Sequence, residues 1–314
     1  MSSIARDRTF TQPLNWTIAF FLGLCHVGAI AAFFFFTWKG LALFLFMWWL
    51  SGSLGIGMGY HRLLTHRGYK CPKWVEYFLT VCATLCLQGG PIGWVATHRL
   101  HHQTSDQEGD PHSPHDGGFW AHMGWIITGT ANHNRTTELL PYVPDLRKDK
   151  FHLWISEWHW VPLVVSAAAV LLAGGLTFGW GVGWSCLLWG IFMHVIVGSH
   201  ATYFVNSATH MWGSQRFQTG DDSTNNFWIA MITWGEGWHN NHHAQPQSAR
   251  HGLAWYEFDL NWYGISALRM LGLAWDVKLP RRLSDAPPQP VPTRPAEAPV
   301  SAELADVAHA ASGD

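Results

Sequence analysis

The sequence predicts an all-α integral membrane protein, with four transmembrane helices in two hairpins and a cytosolic helical cap. Charged residues make up 13% of the 314 residues and hydrophobic residues 48%, whereas a soluble domain carries roughly 25% charged residues. The 21 tryptophans suit a membrane–water interface, where indole rings concentrate. The formal net charge of −2 does not indicate the basic surface of a nucleic-acid-binding protein. The low charge and the many tryptophans instead predict a lipid bilayer as the environment.

Four uncharged, aromatic-rich runs are each long enough to cross a bilayer as a helix. They cover residues 16–38, 41–60, 161–178 and 184–204. The loop within each pair carries one lysine or no charge, and basic residues gather at the outer ends, from Arg6 and Arg8 to Arg216. By the positive-inside rule, both termini are expected in the cytoplasm.

The other segments are predicted as shorter elements and a tail. Residues 69–87 read as a re-entrant or interfacial helix, 92–103 as a short helix, 105–118 as a polar loop and 255–273 as an amphipathic helix. Residues 1–283 form one domain. Residues 284–314 are rich in proline and alanine, cannot bury a core, and are predicted to be disordered.

Histidines cluster where the apolar runs end, all on the expected cytosolic side. The H-x-x-H-H pattern occurs twice, and a wider pair and a lone histidine one helical turn after Asn206 add to it. One metal ion accepts four to six ligands, so nine histidines imply two ions. Imidazole-rich ligation suits iron in redox chemistry, and also zinc or copper. The cap is therefore expected to hold a histidine-rich dinuclear metal site, made by His61, His66, His98, His101, His102, His210, His239, His242 and His243.

The remaining polar residues are expected to support this site or the packing. His26 and His194 lie inside spans, where a hydrogen bond to a neighbouring helix is the usual role. Asp110 and Glu236 are candidates to orient ligating imidazoles, and a solvated loop acid is the alternative for Asp110. Loop or supporting roles are expected for His112, His115, His122, His133, His200 and His251.

These histidine boxes, with Asn206-Ser207-Ala208-Thr209-His210 between them, resemble the membrane fatty-acyl desaturases of the stearoyl-CoA desaturase group. The resemblance covers residues 41–273 and includes Asp110-Pro111-His112 and Gly235-Glu236-Gly237-Trp238. It implies two iron ions that activate O2 and a cis double bond placed in a saturated fatty acyl chain, usually at carbon 9. It also implies that the nine histidines are iron ligands and that Asn206 is a ligand through water. Zinc could replace iron in overexpressed material.

The resemblance further implies a separate electron donor, of the ferredoxin type or the cytochrome b5 type with a reductase. Gln88 and Trp94 match positions near the substrate, whereas Gly89 and Ala96 replace polar residues associated with CoA, and Tyr203 stands where animal enzymes have tryptophan. The acyl carrier, CoA or a lipid, therefore stays open.

Two other functions fit parts of the pattern. A fatty acyl or alkane hydroxylase would use a similar histidine-rich di-iron site. A membrane metal carrier or sensor would instead place ionisable ligands within the spans, and this sequence places them at the span ends.

Overall fold

A computed structural model of the protein describes residues 13–128 and 139–281. Within those ranges the regular elements are helices, with isolated β-bridges between them. In chain order the helices are α1 (Trp16–Phe35), α2 (Trp38–Thr65), α3 (Lys73–Thr84), α4 (Pro91–Thr104), α5 (residues 120–127), α6 (Lys150–Glu157), α7 (Val161–Phe178), α8 (Trp180–His210), α9 (Phe227–Ile232), α10 (His239–Ala244) and α11 (Leu260–Met270). Short 3₁₀ turns lie at Pro114–Asp116, Leu140–Tyr142 and Leu146–Lys148.

Four helices, α1, α2, α7 and α8, are long and apolar enough to cross a membrane. The four predicted spans are therefore confirmed as helices. However, α2 and α8 continue beyond the predicted ends at residues 60 and 204, to Thr65 and His210. A prediction from hydropathy ends a span where polar residues begin. Arg62 and His210 are polar, but they are buried inside the protein. Helical hydrogen bonding therefore continues past the apolar run.

The four long helices differ in how much of their surface other parts of the protein cover. Only 22% of the apolar window of α1 and 17% of that of α7 is buried, against 44% for α2 and 56% for α8. α7 and α8 approach closely at glycines: a Cβ on Gly174 would lie 3.0 Å from the Cα of Gly183. Small residues permit such backbone contact in apolar surroundings. α1 and α7 thus present the larger apolar outer surfaces, and α2 and α8 carry the polar residues inward.

The shorter helices pack against the C-terminal half of α2. A Cβ on Gly55 would collide with the backbone of Ala83 in α3, and one on Gly57 with the side chain of Asn261 in α11. α3 lies within the predicted interfacial segment but ends at Thr84, and it is not among the helices suited to span a membrane. α4 matches the predicted short helix. Together these helices enclose a core that includes Tyr60, Val95 and Ile265.

Two predicted elements need correction. The amphipathic helix predicted over 255–273 begins only at Leu260, because the Asp259 side chain accepts a hydrogen bond from the backbone N–H of Trp262 at 3.0 Å and caps the helix there. Trp255 precedes the helix and is 93% exposed. The segment 105–118 is irregular, as predicted, but it is not a solvated loop, because Asp110 and His112 are buried.

Several predictions fall outside the described residues. They are the polar leader with Arg6 and Arg8, His133, and the tail from residue 284 with its domain boundary.

Candidate metal centre

Nine histidines from four segments converge in two groups at the C-terminal ends of α2 and α8. Within each group, one nitrogen of every ring lies within 4.8 Å of the others. Group one consists of His61, His66, His98, His102 and His242. Group two consists of His101, His210, His239 and His243. These are the nine histidines predicted as ligands, and each group contains enough imidazoles for one ion.

Each H-x-x-H-H box contributes histidines to both groups. In α4, His98 and His102 belong to group one, whereas His101 belongs to group two. In α10 the arrangement is reversed, since His239 and His243 belong to group two and His242 to group one. In each box the residues four apart lie on one side of the helix, and the third histidine points to the other group. The two helices therefore hold both groups at a fixed separation.

The rings of His61 and His66 lie close together because the C-terminal part of α2 is a π-helix. At about 100° per residue, positions five apart in an α-helix lie roughly 140° apart around the axis. Residues Trp49–Thr65 instead form a π-helix, and the His66 N–H donates to the His61 carbonyl at 3.1 Å. This i→i+5 hydrogen bond places the two rings one turn apart, with centroids 4.8 Å apart. The H-x-x-x-x-H spacing is thus matched to a π-helix.

In group two, the hydrogen bonds fix where the ring lone pairs point. The carboxylates of Asp106 and Asp221 accept from Nδ1 of His210 and His243, at 2.8 and 2.7 Å. Each neutral ring then presents a lone pair at Nε2. These Nε2 atoms lie 3.1 and 3.0 Å from Nε2 of His239, which can donate to only one of them. At least one of the two lone pairs therefore faces a nitrogen that offers it no hydrogen, and a bound cation would satisfy it.

Other clustered histidines also have ring nitrogens that a bound cation would satisfy. The Nε2 atom of His101 is buried and has no hydrogen-bond partner, although its Nδ1 donates to Asp110 at 3.0 Å. In group one, Nε2 of His242 lies 3.1 Å from Nε2 of His61 and 2.9 Å from Nε2 of His102. Convergent imidazole lone pairs without protons between them are what a divalent transition metal binds. The donor set of both groups therefore fits a metal ion.

Carboxylates behind the rings set these tautomers. Asp110 and Glu236, the two acids considered from the sequence, contact His101 and His61, the latter at 2.5 Å between Glu236 Oε2 and His61 Nδ1. Asp110 is fully buried, so the solvated-loop alternative is wrong. Asp106 and Asp221 were not foreseen. They lie 104 and 22 residues from their histidines, and no short spacing marks such a contact.

Burial and mutual repulsion favour the neutral form of six of the nine clustered imidazoles, which are His66, His98, His102, His239, His242 and His243. For His101, burial lowers the pKa, but the Asp110 carboxylate outweighs burial and raises it. Burial lowers the pKa of His66, His102 and His242 well below the usual value, and neighbouring histidines lower it further. Burial alone would raise the pKa of Asp110, but the adjacent His101 and His112 outweigh it and lower that pKa. Neutral rings and ionised carboxylates are the protonation states that metal ligation requires.

An apolar cavity of about 770 Å³ reaches the histidines from between the long helices. Its apolar wall includes Phe21, Leu163 and Phe192, and its polar end includes His98 and Asn206. Asn206 also lines a smaller cavity of about 50 Å³, together with His61 and His239 from the two groups. Asn206 thus lies where the large cavity meets both groups.

The residues expected near the substrate line this cavity. Gln88, Trp94 and Tyr203 all contact it. The amide of Gln88 donates to the hydroxyl of Thr202 at 2.9 Å and accepts from the Trp94 indole at 3.4 Å. The two side chains therefore form one hydrogen-bonded unit on the cavity wall.

Three histidines outside the groups form a hydrogen-bonded chain instead. His26 of α1 contacts His200 of α8 at 3.0 Å, and His200 contacts His122 of α5 at 2.9 Å. His194 bonds the Leu85 carbonyl at 3.0 Å. The predicted hydrogen bonds of His26 and His194 are thus present, and His200 lies apart from both groups.

The chain resembles proteins of one enzyme family along most of its length. A family model described as "Fatty acid desaturase" matches residues 36–273. The chain is 44% identical over 275 residues to an sn-1 stearoyl-lipid 9-desaturase of Anabaena variabilis, covering 86% of this chain and 97% of that protein. It is 38% identical over 288 residues to an sn-2 palmitoyl-lipid 9-desaturase of Nostoc sp. (strain 36), covering 91% and 96%. It is 40% identical over 258 residues to Delta-9 acyl-lipid desaturase 1 of Arabidopsis thaliana, covering 81% and 80%.

Proposed function

The chain belongs to the fatty acid desaturase family and is an oxidoreductase, and from this premise we propose that it places a cis double bond at carbon 9 of a lipid-linked saturated acyl chain. The observation that carries the proposal is an apolar cavity whose wall includes His98 of group one and Asn206, which lies beside histidines of both groups. Such a cavity can hold an alkyl chain with one of its carbons beside the metal ligands.

We infer that the nine histidines hold two iron ions, with Asn206 acting through a bound water. Iron there would supply the activation of O2 and the removal of two hydrogens from the acyl chain. The protein's own residues prepare the site. Asp106 and Asp221 fix the tautomers of His210 and His243, so that each ring faces inward without rearrangement.

The cavity wall fixes where the acyl chain lies. Its lining comes from the long helices α1, α7 and α8, through residues such as Phe21, Leu163 and Phe192. Apolar walls exclude water, which keeps the reacting carbons in a dry environment. The Gln88 and Trp94 pair lies along the same wall close to His98, where it limits how far the chain can shift past the histidines.

Two observations favour a lipid carrier over CoA. The relatives reported above carry names of acyl-lipid desaturases. Ala96, at a position associated with CoA contacts in the resembling group, is fully buried in the protein core. A buried alanine offers no polar contact to CoA, which supports a lipid carrier.

We place both termini and the histidines in the cytoplasm, with the four spans arranged as two hairpins. Basic residues concentrated at one end of the spans support this orientation. It also gives a separate cytosolic electron donor, of the ferredoxin or cytochrome b5 type, access to the side of the membrane where the metal ions lie.

Fatty-acid analysis of cells that express the protein tests the proposal. A bacterial host without this activity would be supplied with an electron donor, and double-bond position and lipid class would be determined. We expect monounsaturated chains with the bond at carbon 9 in intact lipids, and none with His101→Ala. Hydroxylated chains would instead favour the hydroxylase alternative, and products confined to acyl-CoA would exclude the lipid carrier.

A further inference from the structure

The carboxylates behind the ligands are unequally divided between the two histidine groups. In group two, three of the four histidines donate Nδ1–H to an aspartate: His101 to Asp110, His210 to Asp106 and His243 to Asp221. The exposed fractions of the three aspartate side chains are 0%, 4% and 11%. They therefore act on the rings with little screening by water.

The three aspartates are held by neutral donors as well as by histidines. Asp110 accepts from the backbone N–H groups of Asp106 and His112. Asp106 also accepts from the backbone N–H of Asp222. Within the described ranges, no lysine or arginine forms an ion pair with any of the three.

Group one has a weaker negative environment. Among the described residues its one carboxylate partner is Glu236, which contacts His61. The same carboxylate accepts from the guanidinium of Arg62 at 3.1 and 2.9 Å, and Arg62 is fully buried. Asp259 in turn pairs with Arg62. The charge that reaches His61 is thus partly compensated by a buried cation, which Glu236 shares with Asp259.

We propose that the two metal positions are intrinsically unequal, with group two binding its ion more tightly because Asp106, Asp110 and Asp221 place three uncompensated negative charges behind its ligands. A carboxylate on the far nitrogen raises the basicity of an imidazole ligand. Three such contacts act on four rings in group two, and one partly compensated contact acts on five rings in group one. The inference rests on the two-iron assignment in the proposed function.

Outer carboxylate partners typically change metal affinity by 10–100-fold. We therefore expect the group-two ion to be loaded first and lost last. It should be the more tightly bound ion by at least about 10-fold, even though group two has one histidine fewer.

The test is release of iron(II) from the full-length, purified protein to a colorimetric chelator, without oxygen. The wild type should release two irons per chain in two separate steps. His66→Ala, which removes a group-one ligand, should lose the weakly held iron and keep the tight step. Asp221→Asn should shift the tight step by about 10–100-fold and leave the weak step unchanged.

The neighbouring residue provides a matched control. The Asp222 side chain is exposed and pairs with His115 rather than with a clustered histidine. Asp222→Asn therefore removes the same charge while it keeps the backbone N–H that donates to Asp106, and it should release iron like the wild type. Asp106→Asn carries the same expectation as Asp221→Asn and replaces it if that variant does not fold.

The proposed inequality would be overturned if both irons were released in one step. It would also be overturned if His66→Ala lost the tight step while Asp221→Asn kept it. Either result would leave the proposed function standing. A folded wild-type protein that binds no iron would overturn the proposed function as well, so the two failures are distinguishable.

Discussion

Two histidine systems lie side by side in this protein and differ in how their nitrogens meet. In the metal centre, Nε2 atoms from several rings converge, as with His210, His239 and His243 at 3.1 and 3.0 Å. In the chain of His26, His200 and His122, each ring uses one nitrogen toward each neighbour, so the contacts run in a line. Converging ring nitrogens suit a bound cation, whereas ring nitrogens paired in a line suit ordinary hydrogen bonds.

The ring-to-ring contacts of the His26–His200–His122 chain can all be satisfied without a metal. Nδ1 of His26 lies 2.7 Å from the Leu22 carbonyl, which can only accept, so that nitrogen carries a hydrogen. His200 then donates to His26 and His122 donates to His200, so both ring-to-ring contacts hold a hydrogen, while the Ser207 hydroxyl beside His122 donates to the Tyr203 carbonyl at 2.8 Å. No such assignment satisfies every contact in the metal centre. The arrangement of lone pairs, rather than the number of histidines, therefore separates ligands from packing residues.

The largest contrast is expected between one residue of each system. His101→Ala removes a ligand that its helical neighbours cannot replace, so desaturation should fall by more than the roughly 10–100-fold typical of outer partners, to below detection. The fold, held mainly by the spans, should survive. The measurement is desaturated product per unit of membrane-inserted protein, and wild-type turnover by this variant would remove the centre from the mechanism.

Acid should destabilise the metal-free centre. Burial first, and neighbouring histidines second, lower the pKa of His98, His239 and His243 well below the usual value. The unfolded state therefore binds more protons below about pH 6.5, and stability falls as the pH decreases, by about 1.4 kcal/mol per pH unit for each such histidine. The midpoint of thermal unfolding should drop between pH 7.5 and 5.5. An unchanged midpoint would mean that these rings protonate without cost.

The smallest effect is expected for a substitution in the His26–His200–His122 chain. His200→Gln keeps a polar side chain between His26 and His122 and touches no clustered histidine. Interhelical hydrogen bonds in membranes contribute about 0.6 kcal/mol on average, so stability should change by about that amount and activity should stay within about twofold of the wild type. A loss as complete as that of His101→Ala would place His200 in the catalytic machinery and end the distinction between the two systems.

The sequence allowed the four spans and the two H-x-x-H-H boxes to be predicted, because each depends on local spacing or hydropathy. It did not indicate which group each histidine joins, since that depends on how α4 and α10 face each other. Asp106 and Asp221 were missed because their contacts with His210 and His243 depend on the tertiary fold. The π-helical end of α2 was also not predicted, although the five-residue spacing of His61 and His66 is the signal for it.

The nine convergent histidines are proposed to hold two iron ions. Metal analysis of active protein produced with ample iron is the decisive test. We expect about two iron atoms per polypeptide in the wild type and in His200→Gln, because the His26–His200–His122 chain binds none. Fully active protein with one metal ion per polypeptide would contradict the two-iron assignment.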